Sequence, residues 1–389
     1  MNAQSPINAA ERDKAAYAQV DNVKLNEMLA YAARKSGRSV LQIGKEFSQM
    51  NRSFRMINIS EYIRWGLFDP DRHDEAQRNA FISNDAHWPI VHSVNPRSWQ
   101  STAEDKVIAA TILNAGGVPV PDSVGVIDKS QRLYPGLPTI ATPDALRGLL
   151  TDLGPGEIFG KIHNGMISLG AFNIRASDST HIHCDGFDPM TYEDFLTHFV
   201  GENSYLLQKR LENHSALNPY ASGLATVRMI NLVRENDIFT PFAIISMPQG
   251  DNIADTLWRS GNIACDIDVA SGAIRTVVTR EGPEIAFLPD HPATAGLMGM
   301  VLPHWDLLVE TNARAARLFG PIKYQSTDIA ITQDGPVIVE LNYGSGFGLP
   351  QNASGRGLLT PEVVAFFEQH GATLGANAPA KKKGFFSRG

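Results

Sequence analysis

The sequence predicts an α+β protein in which a helical N-terminal region precedes two mixed units. Its 389 residues are enough for two or three hydrophobic cores. Apolar residues recur at helical spacing between residues 21 and 95, and short apolar or alternating runs typical of strands begin at residue 158. We therefore divide the chain into a helical region (1–95), two α+β units (96–205 and 206–370) and a basic tail (371–389) that we expect to be disordered.

Composition and charge exclude several classes of protein. Hydrophobic residues make up 43% of the chain and charged residues 19%, as in ordinary globular proteins. The net charge of −7 gives no bulk basic field, so we expect no nucleic-acid partner. Two cysteines, Cys184 and Cys265, fit a reducing compartment. The sequence has no signal-peptide pattern and no apolar run of about 20 residues, so we expect a soluble, cytoplasmic protein without an integral membrane segment.

Two stripes of apolar residues, each at helical spacing, lie in the N-terminal region. Gly37 interrupts the first stripe, and Ser39 opens the second with Gln42 three residues on, the spacing of a capping box. No reactive side chains are grouped here, so we interpret the region as a cover for a neighbouring domain. The residues of the first stripe fall at i, i+3, i+4 and i+7, namely Leu25, Met28, Leu29 and Ala32.

The first mixed unit places two lysines in ordered segments. Ser101 and Glu104 have the spacing of another capping box, and we expect the helix containing Lys106 to follow them. Residues 158–162, Ile-Phe-Gly-Lys-Ile, predict a strand in which Lys161 has apolar neighbours. The residues from 164 to 170 begin with Asn-Gly and end with glycine, which predicts a small flexible segment.

The most informative local pattern in the sequence is a predicted β-hairpin at residues 328–342. Because strand side chains alternate between faces, the pattern of residues 328–342 puts an apolar face opposite a face of oxygen-bearing side chains. The oxygen-bearing residues are Asp328, Glu340 and Asn342. The apolar residues, all at odd positions, are Ile329, Ile331, Val337, Val339 and Leu341.

The turn decides whether the two carboxylates meet. A two-residue turn at Asp334–Gly335 would pair Asp328 with Leu341 and point the acids to opposite faces. A three-residue loop from Gln333 to Gly335 would pair Asp328 with Glu340, and glycine suits the left-handed position that such a loop needs. We therefore predict the three-residue loop.

Two interpretations of this polar face stay open on spacing alone. Adjacent carboxylates repel each other, and a hard divalent cation removes that repulsion. Mg²⁺ prefers oxygen ligands and usually takes one or two carboxylates together with substrate phosphates. The other interpretation is an edge hairpin whose polar face meets solvent.

These residues resemble the ATP-grasp superfamily, and within it the chain is most similar to the sugar-transfer-associated ATP-grasp family. The resemblance covers roughly residues 55 to 350 and rests on segments that occur in the expected order. The strand before Asp328 departs from the family pattern, since Tyr-Gln-Ser-Thr stands where a Gly-Trp pair is expected. The segments are SEYIRWGLFD, EDKVIAATILNAGGVPVP, IFGKIHNGMISLG, LLQKRLENHSAL, ATVRMINLV, GNIACDIDVASGAI, HPATAGLMGMVLPHW and DIAITQDGPVIVELN.

The resemblance implies the ATP-grasp fold, in which two α+β subdomains enclose ATP with Mg²⁺. By that resemblance Lys106 and Lys161 face the nucleotide phosphates, and Arg228 lies near the transferred phosphoryl group, with Arg228 and Lys161 as catalytic residues. The glycine-bounded segment after Lys161 would close over the phosphates. The implied metal ligands are Asp328, Glu340 and Asn342. The implied adenine and ribose contacts come from the interdomain hinge and its continuation, Gln208, Lys209, Arg210, Leu211, Glu212 and His214.

The resemblance also implies an ADP-forming carboxylate–amine ligase. A carboxylate attacks the γ-phosphate of ATP to give an acyl-phosphate, and an amine or similar nucleophile then displaces phosphate. The sugar-transfer association implies a small-molecule carboxylate and an amine or sugar-linked acceptor, in polysaccharide or envelope-related biosynthesis. The alternatives are a phosphotransferase acting on a hydroxyl acceptor and an ATP-binding protein without turnover.

Two other patterns are not interpreted as sites for a metal or for phosphate. The run His181-Ile182-His183-Cys184 lacks the spaced pairs of a zinc site, and alternation puts its cysteine on the face opposite its histidines. The glycine-rich run from 344 to 348 lacks the Gly-Lys-Ser/Thr ending of a P-loop, so we expect it to be a loop beside the substrate.

Overall fold

The computed structural model describes residues 8–20 and 24–375. Short helical turns of other types lie at Asn84–Ala86, Arg97–Trp99 and, as a π-helical turn, Phe195–Val200. The α-helices are α1 (Ala9–Gln19), α2 (Leu25–Ser36), α3 (Val40–Arg52), α4 (Ile59–Arg64), α5 (Glu75–Asn79), α6 (His87–Val94), α7 (Gln100–Glu104), α8 (Lys106–Ala115), α9 (Pro143–Leu153), α10 (Tyr192–Asp194), α11 (Trp305–Leu318), α12 (Gly348–Ser354) and α13 (Pro361–Gln369).

The helical N-terminal region is confirmed, and local signals position its helices. Gly37 ends α2 in the left-handed conformation, with φ of 66°. The side chain of Ser39 accepts from the backbone of Gln42, whose side chain accepts in return from the backbone N–H of Ser39, so the predicted capping box begins α3. The same reciprocal bonds begin α4 and α5, which makes this region a series of short, individually capped helices.

The helix that carries Lys106 begins differently from the prediction. Ser101 lies inside the preceding short helix α7 and is not a cap. The cap of α8 is Asp105, whose Oδ1 accepts from the backbone N–H groups of Val107 and Ile108. The expected capping box is therefore wrong, and the aspartate directly before Lys106 fixes where the helix starts.

The first of two sheets lies in the first mixed unit. Its strand order is β2-β1-β7-β3-β4-β5-β6, and all neighbours are antiparallel except β1 and β2. Because β7 belongs to this sheet, the proposed boundary between residues 205 and 206 falls at the start of a strand of the first unit. The strands are β1 (Ser123–Ile127), β2 (Thr139–Ile140), β3 (Ile158–Ile162), β4 (Phe172–Ser177), β5 (His181–Cys184), β6 (Met190–Thr191) and β7 (Tyr205–Lys209).

The second sheet carries the predicted metal hairpin at one edge. It is antiparallel throughout, in the order β12-β11-β10-β9-β8-β13-β14. Helix α11 packs against one face, where the hydroxyl of Thr327 donates to Oδ1 of Asn312. The strands are β8 (Thr226–Val233), β9 (Ile238–Met247), β10 (Ile263–Ile267), β11 (Val277–Thr279), β12 (Ala286–Leu288), β13 (Tyr324–Thr332) and β14 (Gly335–Asn342).

The second sheet organises the largest core, which continues further along the chain than expected. Buried side chains of α11, α12 and α13 pack with those of β8, β9, β10 and β13 in one cluster. Ala372 and Leu374 belong to the same cluster, so the predicted tail starts too early at 371. Residues 376–389, including the basic run, lie outside the described residues.

None of the helices within residues 8–20 and 24–375 combines the length and the apolar composition that a membrane crossing requires. The N-terminal residues 1–7, part of the stretch examined for a signal peptide, lie outside the described residues.

Candidate active site

The hairpin brings Asp328 opposite Glu340, as predicted, but the loop is not the predicted one. Thr332 pairs with Gly335, so the loop has two residues, Gln333 and Asp334. The extra residue needed for the register is Val339, because Ile329 pairs with Ile338 while Asp328 pairs with Glu340. A β-bulge inside β14 therefore does what we expected of a three-residue loop.

The bulge also changes which side chains enter the core. Simple alternation predicts Val337 and Val339 on the apolar face. Instead Ile338 is buried in the large core with Leu341, and both valines are only partly buried. Alternation fails on this strand because the bulge shifts the face of every residue on its N-terminal side by one.

Arg228 and Asp328 form the central ion pair of the site. They lie opposite each other on β8 and β13. The guanidinium donates through Nε to Oδ1 and through Nη2 to Oδ2, both at 2.7 Å, a bidentate pair. Nδ2 of Asn342 also donates to Oδ2 of Asp328, at 3.2 Å. Burial opposes the charge of Arg228, but Asp328 outweighs it and raises the pKa of the guanidinium.

Lys106 reaches this hairpin from the first unit. Its Nζ lies 2.9 Å from Oε1 of Glu340 and donates to the carbonyl of Gly165 at 2.6 Å. Burial disfavours the charge of Glu340, but Lys106 and then Lys161 outweigh it, so the pKa of Glu340 is lowered. One lysine therefore contacts both the predicted metal hairpin and the glycine-bounded segment.

Lys161 is the second cation from the first unit. Its Nζ donates to the backbone carbonyl of Val339 at 2.9 Å. Burial lowers the pKa of Lys161 to about 8, against the attraction of Glu340. At neutral pH the lysine is charged and the site holds three cations, Lys106, Lys161 and Arg228, next to Asp328 and Glu340.

The chemistry of these side chains suits Mg²⁺ together with phosphate groups. Asp328, Glu340 and Asn342 offer hard oxygen atoms on one face of a hairpin. Within the described residues no three His, Cys, Asp or Glu side chains group closely enough to hold a metal alone, so a metal bound here would need further ligands such as phosphate oxygens or water. The cations now paired with the two carboxylates, Arg228 and Lys106, would turn to those phosphates.

Buried polar contacts hold both ends of the glycine-bounded segment. At its start, Nε2 of His163 lies 2.7 Å from Oδ1 of Asp105, whose Oδ2 accepts from Nη2 of Arg132 at 2.6 Å. At its end, the N–H of Gly170 donates to Oδ2 of Asp13 at 3.0 Å. Between these ends, Ile167 and Ser168 have positive φ values of 52° and 54°, a conformation that non-glycine residues rarely adopt.

Helix α1 connects this segment to the second unit. Asp13, 3% exposed, accepts from Nη2 of Arg259 at 2.7 Å, and the same nitrogen lies 3.3 Å from the carbonyl of Ser168. Arg259 belongs to the loop between β9 and β10. Asn8 ties α1 to the first unit by donating to the carbonyl of Val200 at 3.3 Å. We call this connection, formed by Asp13, Arg259 and Gly170, the Asp13 latch.

The hinge residues proposed for adenine and ribose lie at the C-terminal end of β7, an interior strand of the first sheet, and beyond it. Gln208 projects from the same face of that sheet as Lys161 and donates to Oγ of Ser123 at 3.2 Å. Lys209 is exposed and pairs with Asp122 at 3.1 Å. No contact of these residues tests their assignment, which stays a prediction.

The rest of the predicted hinge, Arg210 and Leu211, and the residues that follow it lie between the first sheet and the metal hairpin. Arg210 pairs with Glu157, Leu211 is partly buried and Glu212 is exposed. His214 lies against the hairpin loop, with Nε2 3.5 Å from Nε2 of Gln333. The structure thus groups six predicted residues in one cluster and leaves the hinge set outside its direct contacts.

Sequence reasoning missed three acids of this site. Asp105 and Asp13 hold the glycine-bounded segment, and Asp255 lies beside Arg228. The Asp105-x-x-Ile108 spacing, that of an N-cap with its third helical residue, could have identified the first. Asp13 and Asp255 lie 157 and 29 residues from their partners Gly170 and Thr226, so no local pattern identifies them.

The histidine run on β5 has ordinary polar contacts. His181 and His183 are half-buried on one face and Cys184 is buried on the other, as alternation predicted. Oδ2 of Asp178 lies 3.4 Å from Nε2 of His183. Burial raises the pKa of the Cys184 thiol, so it stays protonated at neutral pH.

A sequence profile of the family described as sugar-transfer associated ATP-grasp matches residues 89–365. No curated protein matches the chain.

Several solved structures are similar to this chain. One is the ATP-grasp ligase PsnB complexed with a minimal precursor, 14% identical, covering 71% of this chain and 64% of that one, with a TM-score of 0.37. Another is the D-cycloserine synthetase DcsG, 16% identical, covering 71% and 73%, with a TM-score of 0.41. A third is the D-alanine–D-alanine ligase from Coxiella burnetii, 13% identical, covering 70% and 58%, with a TM-score of 0.38. The chain thus spans less than two thirds of the first and third of these proteins.

Proposed function

The chain belongs to the sugar-transfer-associated ATP-grasp family and has the ATP-grasp fold, and from this premise we propose that it is an ADP-forming, ATP- and Mg²⁺-dependent ligase. The ligase activates a carboxylate as an acyl-phosphate and joins it to an amine or a similar nucleophile. One observation carries the proposal: Lys106 and Lys161 of the first unit meet Arg228, Asp328 and Glu340 of the second. Phosphoryl transfer needs such a combination of fixed cations and metal-binding oxygens.

Each group of this cluster has a distinct part in the proposed reaction. Arg228 presents a bidentate fork to the transferring phosphoryl group, and Lys106 and Lys161 neutralise the neighbouring phosphate oxygens. Asp328, Glu340 and Asn342 hold the metal. When bound there, Mg²⁺ offsets charge on the transferring group. The segment between Asn164 and Gly170 covers the phosphates and excludes water, which would otherwise hydrolyse the acyl-phosphate.

The family description names sugar transfer, which supports a sugar-linked acceptor and no particular donor. A small-molecule carboxylate is the donor, and the acceptor is an amine or a sugar-linked compound of polysaccharide or envelope-related biosynthesis. Because such a reaction draws on cytosolic ATP, we place the protein in the cytoplasm.

The test measures ADP and free phosphate with pooled amino acids and sugar acids, followed by the mass of the product. We expect both to be released in equal amounts, with a product lighter by one water than its two substrates together. Asp328→Asn combined with Glu340→Gln should abolish Mg²⁺-dependent turnover, while Asp334→Asn, an exposed acid in the loop of the same hairpin, should leave it unchanged. A phosphorylated product without free phosphate would show that the protein is a phosphotransferase and not a ligase. ATP binding without ADP release would show that it binds ATP without turnover.

A further inference from the structure

Asp255 is a carboxylate at the site that the proposed reaction does not yet use. It lies on the loop between β9 and β10, and its Oδ2 accepts a hydrogen bond from the hydroxyl of Thr226. Thr226 precedes Arg228 by two residues on β8, so both side chains lie on one face. Since Arg228 pairs with Asp328 and Thr226 with Ala330, Asp255 lies next to the central ion pair.

The loop is built to hold Asp255 in place. Asn262, 0% exposed, donates to the carbonyl of Ala254 at 2.8 Å and to that of Thr256 at 3.0 Å, the two residues that flank Asp255. The side-chain oxygen of Asn262 accepts in turn from the backbone of Gln249 at 3.0 Å. A fully buried amide therefore fixes the backbone on both sides of this one carboxylate.

The charges around Asp255 determine which ligand it suits. In the part of the chain that the structure describes, the ion pairs here join Arg228 to Asp328 and Lys106 to Glu340, and Asp255 belongs to neither. Burial and then the charge of Asp328 raise the pKa of Asp255 to about 6, although Thr226 and Arg228 favour its ionised form. A carboxylate this close to a phosphoryl-binding arginine repels phosphate, whereas a cation beside it would be stabilised.

We propose that Asp255 binds the ammonium group of the acceptor, and so selects an amine over a hydroxyl compound. This inference rests on the proposed ligase function and names the acceptor class. Aliphatic amines are protonated at neutral pH, so the acceptor reaches the site as a cation. The carboxylate holds that cation beside Arg228, where the acyl-phosphate forms. One ammonium proton passes to water before the amine nitrogen attacks the acyl carbon and phosphate leaves. Asp255 is therefore a specificity-determining residue, distinct from the groups that bind nucleotide and metal.

The test compares Asp255→Asn with the wild type, using the carboxylate and amine identified by the substrate screen. We expect the KM for the amine to rise roughly 10- to 100-fold, the range for losing one charge-assisted hydrogen bond. Hydroxylamine, which is largely uncharged at neutral pH, should still trap the acyl-phosphate as a hydroxamate at the wild-type rate. The affinities for an ATP analogue and for Mn²⁺ should be unchanged. Asp251→Asn removes an exposed acid from the same loop and is the matched control.

The other outcomes overturn the inference. Equal loss of hydroxamate and amide in the Asp255→Asn variant would place Asp255 in carboxylate activation, and weaker Mn²⁺ binding would make it a metal ligand. An unchanged KM for the amine would mean that the acceptor binds elsewhere. In these three cases the wild type still forms an amide, so the ligase function stands. If the wild type instead phosphorylates a hydroxyl acceptor, both the function and this inference fail.

Discussion

Lys161 in the first sheet donates a hydrogen bond to the backbone carbonyl of Val339 in the second, over 2.9 Å. Val339 is the bulge residue of β14 and has no partner residue in the register with β13. The bulge therefore serves two purposes at once. It sets Asp328 against Glu340, and it gives the facing lysine an acceptor on the opposite sheet.

Deleting Val339 should separate these two purposes. Without the extra residue the ladder runs regularly from Ile338 to Glu340, so Glu340 still faces Asp328 while Lys161 loses its acceptor. We expect ATP affinity to fall by roughly tenfold, as for one lost hydrogen bond to a charged group, and Mn²⁺ affinity in the presence of ADP to stay near the wild-type value. Isothermal titration calorimetry measures both. Val339→Ala keeps the carbonyl and should bind ATP normally; a loss in that variant as well would show that the side chain matters.

The low pKa of Lys161 predicts that ATP binding depends on pH. The lysine loses its charge as pH rises through about 8, and bound phosphate would favour the charged form. ATP affinity should therefore decrease above pH 8, by up to about tenfold per pH unit, and binding at pH 8 should take up part of a proton. Calorimetry in two buffers of different ionisation enthalpy detects this uptake. Lys161→Arg stays charged across this range and should remove the dependence; persistence of the dependence in that variant would assign it to another group.

Replacing Lys106 with methionine should change metal and nucleotide binding in opposite directions. The variant frees Glu340 from its ion pair, so Mn²⁺ alone should bind several-fold more tightly. ATP should bind roughly 10- to 100-fold more weakly, because a phosphate-binding cation is gone. Electron paramagnetic resonance of Mn²⁺ and fluorescent ATP titration measure the two effects. Lys129→Met, which removes a lysine paired with the exposed Glu202, is the control. A decrease in both affinities would contradict competition between Lys106 and the metal for Glu340.

Breaking the Asp13 latch should cost stability and release the glycine-bounded segment. Asp13→Asn leaves the guanidinium of Arg259, 12% exposed, without its ion-pair partner, and we expect a loss of about 3 kcal/mol in the free energy of unfolding. Cleavage by chymotrypsin between residues 164 and 170 should become faster. Asp144→Asn removes an ion pair on the helix surface and should change stability by less than about 0.5 kcal/mol. Equal effects of the two variants in urea denaturation would show that the latch is not formed in solution.

Gly160 lies next to Lys161 and has no room for a side chain. A Cβ atom there would come within 2.2 Å of the Phe172 ring, in the core of the first unit. Gly160→Ala should therefore destabilise the protein by roughly 2–3 kcal/mol. Gly44, inside α3, has nothing within 4 Å of such an atom, and Gly44→Ala should stabilise by about 0.5–1 kcal/mol. Urea denaturation of both variants tests the pair; similar stabilities would mean that Phe172 can move aside.

Patterns local in sequence predicted much of the fold. The predicted capping box at Ser39 and the predicted interruption of the helix at Gly37 were correct because neighbouring residues alone form them. The pairing of Asp328 with Glu340 was also correct, although it arises from a bulge. A bulge has no signature in the pattern of apolar residues, since the residue that leaves the ladder, Val339, is as apolar as its neighbours.

Contacts between distant segments could not be predicted from such patterns. The resemblance to a family identified Lys106, Lys161 and Arg228, and the structure brings all three to the hairpin. Asp255 could not be predicted, because its position depends on Thr226 on β8 and on Asn262 in the loop before β10. These residues form no periodic pattern. The pairing of Glu340 with Lys106 likewise depends on how the two units meet, whereas Arg228 and Asp328 pair within one sheet.

The distance along the chain between the partners of the Asp13 latch determines when the site is completed. Asp13 and Arg259 are 246 residues apart, so a ribosome has made most of the chain before the first helix meets its partner. Contacts of such high sequence separation form late, because the chain must close a long loop first. The covering segment at Gly170 should therefore settle late in folding, and a chain cut short before Arg259 should lack the ion pair that holds the end of this segment.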